Sequence, residues 1–484
     1  MYVASFLYMK ELVPTIGLEI HAELNTHSKM FCGCANEPDN VAPNTHVCPV
    51  CMAHPGTLPV INEEAVFQVL RVGTAIGGTI ADFTEFDRKN YYYPDIPKNY
   101  QISQYAYPLV SGGAIGPVAV TRIHLEEDTA RSSHGTDTSI VDFNRAGVPL
   151  MELVTEPVIH DAQTAVSFAR DLRLLLRYLD ASRANLEKGE MRIEANISLS
   201  APGEPLGTKV EVKNLNSFKA VEQAIAYEIK RQKEALSRGE SILQETRGWD
   251  ENRQKTFSQR AKESSHDYRY FPDPDLPKVI VSEIPKFSNA NLLDTIPELP
   301  WDRRVRYTKQ GMHSSVVEVL VSDTELNVFY ESVLQSLKNV NDDVRNLVAN
   351  YLTTDLLGLL SKKGGKSKSI SSMDAAEFAI LIDMLRTEAV SSRGAKDALA
   401  IWATEGGDPN EIARKHRLIK VSDIDALRDV AMRVIEEHAA VATEYRNGKA
   451  SSLQFLIGQG MKMTKGSADP KILSEIIMKA LNEN

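Results

Sequence analysis

The sequence predicts an α+β chain: a largely antiparallel N-terminal sheet with packed helices, followed by helical domains. Three observations carry this. Strand-period alternation recurs in TIGLEIHAEL and VAVTRIHLEED, where successive side chains point to opposite sides of a sheet. Amphipathic helical stretches with start and stop signals lie between such segments. Beyond a Pro- and Asn-rich stretch at residues 285–301, strand patterning gives way to helical periodicity. A chain of 484 residues exceeds one ordinary domain, and the pattern divides it into 1–290, 291–407 and 408–484.

The first strand sets Glu19, His21 and Glu23 on one face and Ile16, Leu18 and Ile20 on the other. A Glu-x-His pair at strand spacing aims both side chains into one small volume, as a shared metal site requires. Oxygen ligands suit a hard cation such as magnesium, and one imidazole is tolerable beside them. A half-buried strand with a solvated polar face accounts for the same pattern. Next comes FCGCANEPDNVAPNTHVCPVC, in which Cys32, Cys34, Cys48 and Cys51 form two close pairs. Two thiolate pairs are the usual way to build a closed, structural zinc site. The plainer alternative is two reduced pairs packed as small hydrophobes.

In FDRKNYYYPDIPKNYQISQY, Arg88, Lys89 and Lys98 are interleaved with Tyr91, Tyr92, Tyr93, Tyr100 and Tyr105. Such a mixture suits a phosphate and a ring, as in a nucleotide or an RNA end. Composition alone fits an ordinary loop stapled by tyrosines equally well, and Pro94 and Pro97 argue for a loop.

The densest chemistry runs from Val118 to Pro157. Adjacent Glu126 and Glu127 fall on opposite strand faces, which suggests two jobs rather than one carboxylate pair. Glu152 sits inside the apolar run PLMELV, where a carboxylate is costly to bury without a partner. Glu126 and Glu152 are therefore expected to hold a divalent cation, with help from upstream. The helix DAQTAVSFARDLRLLLRYL starts at Asp161, a good N-cap, and lines up Ala165, Phe168, Leu172, Leu175 and Leu179. A second helix follows Ser217 and stops at Gly239. Both read as packing helices. Arg192, Glu194 and Asn196 share one strand face, as do Lys209, Glu211 and Lys213; taken separately, each fits a solvated face.

LLSKKGGKSKS lacks the first glycine of a P-loop, Leu360 standing in its place, and reads as a flexible loop. In the final part, Gly458, Gly460 and Gly466 break helices, and Lys462, Lys465 and Lys471 form a basic patch. A net charge of −10 argues against a protein that coats nucleic acid, so any such partner must be gripped by local basic patches. No stretch approaches a membrane span, and the opening FLY is too short for a signal-peptide core. Residues 1–8 read as a dispensable extension or a misassigned start before Met9. The absence of a signal, with all cysteines between Cys32 and Cys51, points to a reducing cytoplasm.

GLEIHAEL, FDRKNYYYPDIPKNYQISQY, RIHLEED and VDFNRAGVPLMELVTEP together resemble the B-subunit (GatB) family of the aspartyl/glutamyl-tRNA(Asn/Gln) amidotransferases. MRIEANISL, GTKVEVKNLNSF, ETRGWDE and DYRYFPDPDLP continue the likeness, which is densest from Gly17 to Pro277. The resemblance implies a cradle-shaped catalytic domain and a YqeY-like, tRNA-holding tail that includes Lys462, Lys465 and Lys471. It implies ATP-dependent phosphorylation of the side-chain carboxylate of Glu-tRNA(Gln) or Asp-tRNA(Asn), with magnesium. Ammonia from a separate amidase chain, the glutaminase of the complex, would then complete the amide, and a small third chain would make the assembly a heterotrimer. His21, Glu126 and Glu152 match the family's metal positions, with Glu19 a neighbour. Glu127 with Lys89 matches the mouth of the ammonia tunnel. Arg88, Arg192, Glu194, Lys209, Glu211 and Lys213 look like walls of the ATP pocket, Glu194 standing where aspartate is common. A non-catalytic tRNA-binding scaffold, or another ATP-dependent ligase or kinase, are the competing readings.

Overall fold

The computed structural model describes residues 11–483 except 40, 262–267, 363–368, 421–423, 465 and 467. Residues 1–10, the centre of the Gly/Lys/Ser loop and Lys465 therefore lie outside the described residues. The chain forms two compact units, 1–300 and 301–484.

The first unit is built on a ten-stranded sheet. Its long strands are β1 (Val13–Glu23), β4 (Val118–Glu127), β5 (Pro149–Thr155), β6 (Met191–Ser200), β7 (Val210–Lys213), β8 (Glu245–Asp250) and β9 (Lys255–Ala261). Between β1 and β4 in the chain lie β2 (Asp87–Asn90) and β3 (Tyr100–Ser103), which form a small separate sheet with Phe271–Pro272. The large sheet runs β9-β8-β7-β6-β1-β5-β4 and then continues through short edge strands. Pairing is antiparallel except between β7 and β8. This is the α+β class and largely antiparallel sheet that the alternation predicts.

The period of two sorts this sheet into two chemistries. Ile16, Leu18 and Ile20 of β1, Ile193, Ala195 and Ile197 of β6, and Met151 and Leu153 of β5 are buried on one face. Helices α2 (Ala162–Tyr178) and α3 (Phe218–Ser237) pack together on that side, α3 against β6. Helix α1 (Glu63–Ala75) packs on β4. Helix α2 buries Ala165, Phe168, Leu172 and Leu175, each large apolar side chain contributing about 1.5–3 kcal/mol. Asp161 caps it by accepting the Thr164 amide at 2.7 Å, and Ser217 caps α3 through the Ala220 amide. The apolar face and its helices fix the register that aligns the polar residues of the opposite face.

The second unit is helical among the described residues, apart from an isolated bridge between Val390 and Ile419. The helix Pro409–Lys415 packs on Ala375–Arg386 and Ser392–Glu405. The last four helices, from Ile424 to Glu483, enclose a core of their own, made of Leu427, Ala431, Val434, Leu456, Leu473, Ile477 and Leu481. No described helix is long and apolar enough to cross a membrane.

Candidate active site

Antiparallel register aligns a row of functional side chains across β6-β1-β5-β4. Arg192 lies opposite His21, His21 opposite Glu152, and Glu152 opposite His124. Glu152 thus stands on the middle strand between two histidines, and both rings turn to it. His21 Nε2 is 3.3 Å and His124 Nε2 is 3.2 Å from Glu152 Oε2. Glu126 Oε1 is 3.6 Å from His124 Nε2, and Glu19 Oε1 is 3.9 Å from His21 Nε2. Ligand atoms of Glu19, His21 and Glu152 fall within metal-binding reach of one another, and so do those of His124, Glu126 and Glu152. The expected trio of His21, Glu126 and Glu152 does not form one set: His21 falls in the first, Glu126 in the second, and Glu152 in both.

The sequence alone assigns His124 no role. The signal was there: RIHLEE carries His-x-Glu on one face of β4, mirroring Glu-x-His on β1. What could not be read was that β5 would bring Glu152 between them.

Burial makes this cluster electrostatically tense. Burial opposes the cationic form of His124, but the charges of Glu152 and Glu126 outweigh it and push the imidazole up to about 9. Burial together with the Glu152 charge pushes Glu19 up to about 7. Burial resists ionisation of Glu126, yet Lys89 and His124 hold it down to about 2. Both buried Nδ1 atoms, of His21 and His124, lack a hydrogen-bond partner among the described residues. Carboxylates and imidazoles converging from three strands fit a divalent cation, whose charge would offset the burial cost. A third, all-oxygen set of Glu19, Glu194 and Glu211 lies farther along the same face and shares Glu19 with the first. There Lys213 Nζ is 2.8 Å from Glu194 and 3.9 Å from Glu211.

Glu126 and Glu127 turn to different partners. Glu126 accepts from Gln101 Nε2 at 2.9 Å and Ser103 Oγ at 2.6 Å. Glu127 accepts from the Ile102 amide at 3.0 Å and from Lys98 Nζ at 2.7 Å. Glu127 lines a cavity of about 270 Å³ with Arg88, Lys98, Tyr100, Cys51 and Asp275.

Three expectations are corrected. Lys89 does not stand with Glu127; its ammonium is 3.8 Å from Glu126, and Lys98 is the partner of Glu127. The cause is alternation on β2, which sends Lys89 one way and Arg88 the other. Arg88 is held by Asp273 at 2.9 Å and Asp275 at 2.8 Å, its guanidinium 4.3 Å from the centre of the Tyr100 ring, so it belongs to the Glu127 cavity. Lys209 lies exposed before β7 begins at Val210, not on the strand face shared by Glu211 and Lys213. Arg192 is on the expected face, but both of its terminal nitrogens are taken by Asp128 at 2.9 and 3.1 Å. Glu211 is buried and accepts from Thr246 Oγ at 2.7 Å.

The sulfurs of Cys32, Cys34, Cys48 and Cys51 converge within ligand distance of one another. A hydrogen bond from Cys32 and the nearby Lys29 help pull Cys51 down to about 5, while that same bond pushes Cys32 up. Four converging thiols, one already thiolate-like, fit a tetrahedral zinc ion. In the second unit Lys462 ends the helix Ser451–Met463 and Lys471 opens Pro470–Glu483, both exposed.

Residues 14–285 match the family model described as the GatB/GatE catalytic domain, and residues 329–481 match the GatB domain. The chain is 42% identical over 489 residues to the B-subunit of the aspartyl/glutamyl-tRNA(Asn/Gln) amidotransferase of Synechocystis sp., covering 96% of this chain and 97% of that one. It is 40% identical to the proteins of the same description from Gloeothece citriformis and Thermomicrobium roseum. The first match covers 96% of this chain and 97% of the relative, the second 98% and 99%.

Proposed function

This chain belongs to the GatB family, the B-subunits of the aspartyl/glutamyl-tRNA(Asn/Gln) amidotransferases, and on that premise we propose how its two carboxylate sites divide the reaction. The activity is that of a ligase forming a carbon–nitrogen bond. The side-chain carboxylate of Glu-tRNA(Gln) or Asp-tRNA(Asn) is phosphorylated by ATP. Ammonia, released from glutamine by a partner amidase chain, then displaces phosphate to give the amide. A small third chain completes the heterotrimer, and the work belongs to the cytoplasm, where aminoacyl-tRNA is made.

A carboxylate is a poor electrophile until its oxygen becomes a leaving group. Glu19, His21, His124, Glu126 and Glu152 would hold magnesium, which when bound neutralises phosphate charge during the transfer. Gln101 and Ser103 fix the orientation of Glu126 through their hydrogen bonds. Lys89 supplies a fixed positive charge beside Glu126, where it can anchor the substrate carboxylate. Glu194, Glu211 and Lys213 form the wall toward the nucleotide. Across the strand, Glu127 accepts a proton from ammonium, so that neutral ammonia arrives as nucleophile. Lys98 and the Ile102 amide hold Glu127 in place for that exchange. Zinc on the four cysteines would brace the wall of the Glu127 cavity, which Cys32 and Cys51 line. The helical tail, whose last four helices from Ile424 enclose their own core, grips tRNA through its lysines.

The single observation that carries this reading is the divergence of Glu126 and Glu127 into differently built surroundings. In the complex assembled with its partners, Glu126→Gln should sharply reduce ATP-dependent activation of the charged tRNA. Glu127→Gln should leave activation intact and impair use of glutamine-derived ammonia, with free ammonia at high pH restoring product. Identical defects in both variants would refute the division. Full activity in both would favour a tRNA-binding scaffold.

A further inference from the structure

A chain of tyrosine rings borders the acidic cluster and has no role in the chemistry above. Tyr93 meets Tyr91 edge-on at 6.0 Å, Tyr91 meets Tyr268 at 6.0 Å, and Tyr268 meets Tyr270 at 6.1 Å. The chain ends at Tyr105, which is stacked on Tyr270 with centroids 4.3 Å apart and planes 13° from parallel. Tyr105 is 53% exposed, so one face of its ring is backed by Tyr270 while the residue stays open to solvent.

This ring is firmly mounted beside the reaction centre. Asp87, buried, accepts both the Tyr105 and Ala106 amides, at 2.8 and 3.1 Å. Gln104 accepts the Leu125 amide of β4 at 2.9 Å, between His124 and Glu126 in the chain. Ser103 donates to Glu126 itself. Tyr105 is therefore two residues, at most about 7 Å of chain, from a residue bonded to a metal-capable carboxylate. Its partner Tyr270 feels the same centre: burial raises its hydroxyl, Lys89 opposes this, and Glu126 and Glu152 add to it. Lys89 itself lies 5.3 Å from the Tyr268 ring and 6.0 Å from that of Tyr91.

We propose that the open face of Tyr105 seats an adenine ring, that of the 3′-terminal adenosine which carries the amino acid of the substrate tRNA. Two physical points favour this occupant. A rigid exposed aromatic backed by a second ring is the form in which proteins stack an unpaired terminal base. The all-oxygen carboxylate set with Lys213, suited to a phosphate-bound cation, lies toward the β6 and β7 end of the face. That leaves the Tyr105 end, beside Glu126 and Lys89, for the aminoacyl ester. The inference rests on the reaction proposed above.

The test uses the full complex and two uncharged tRNAs, one intact and one lacking its terminal adenosine. Stacking of one base corresponds to about five- to 150-fold in affinity. Wild-type complex should lose that factor when the adenosine is removed. Tyr105→Ala should bind both RNAs alike, at the level of wild type with shortened RNA, and Tyr105→Trp should keep the discrimination. The KM for ATP in tRNA-dependent phosphate release should be unchanged by Tyr105→Ala. Discrimination that persists in Tyr105→Ala, or that is missing in wild type, overturns the proposal. A rise in the KM for ATP with discrimination retained would assign the ring to the nucleotide instead. Wild-type complex that amidates neither charged tRNA would refute the reaction itself, whereas an active complex with an indifferent Tyr105 refutes only this seat.

Discussion

The acidic sheet face of the first unit and the lysine-bearing tail of the second meet charge in opposite ways. On the sheet, Glu126 and Glu152 are buried, and each is held within 4 Å of an imidazole from a neighbouring strand or its own. In the tail, Lys462 and Lys471 are exposed at helix ends over a small apolar core. Buried charges are costly to leave unpaired and depend on close geometry. Exposed ones are worth little singly and act as a sum that salt can screen. The first arrangement suits bond-making at a fixed point; the second suits holding a large polyanion.

The largest expected effect lies at Glu152, the residue shared by the two histidine-bearing metal-capable sets. Glu152→Gln keeps the shape but removes the charge that both histidines address, and tRNA-dependent phosphate release should fall by about a thousandfold or more. The loss should exceed that of Glu126→Gln, because Glu126 belongs to one set only. Binding of tRNA should be nearly unchanged. Quantified phosphate release and filter binding on the same preparations check both halves. A Glu152→Gln enzyme that retains even a tenth of the rate would break the contrast between the two regions.

The tail should behave in the opposite manner. Lys462→Ala and Lys471→Ala should each weaken tRNA binding only severalfold and lower the slope of log affinity against log salt by about 1. The KM for ATP should not move. If either substitution abolishes turnover while binding survives, the tail is doing something other than gripping phosphate.

How much of this was legible in the sequence follows from the range of the forces involved. Alternation on β1 and β4 is local, so the polar faces carrying Glu19, His21, His124 and Glu126 could be read directly. N-caps are local too, and Asp161 and Ser217 do what their positions announce. Partners across the sheet were not legible. His124 gains its meaning only when β5 inserts Glu152 beside it. The exchange of Lys89 for Lys98 at Glu127 depends on how β2 and β3 pair and on the distant Phe271–Pro272 strand that joins them. Arg192 was placed on the correct face, but the Asp128 that occupies it is contributed from just beyond β4. The resemblance of whole motifs supplied the reaction; it could not supply these pairings.

The smallest effect expected concerns the helix layer behind the site. Asp161 takes the Thr164 amide and hydroxyl at 2.7 and 2.8 Å, and these bonds hold its carboxyl below the usual range. A depressed acid adds stability above its unfolded pKa of about 3.9, and that contribution is lost as pH falls through the lower folded value. Asp161→Ala should cost about 1 kcal/mol at neutral pH, seen as a lower urea midpoint for unfolding of the first unit, and the gap from wild type should narrow in acid. Asp161→Asn keeps an acceptor oxygen that does not titrate, so its own stability carries no pH term from this site, and its deficit should be smaller at neutral pH and should close as wild type loses its carboxylate bonds in acid. Because α2 covers the apolar side of the sheet, either change should leave the rate per folded molecule alone. A drop in that rate would mean that the helix layer and the ionic face are coupled more tightly than the separation of their chemistries implies.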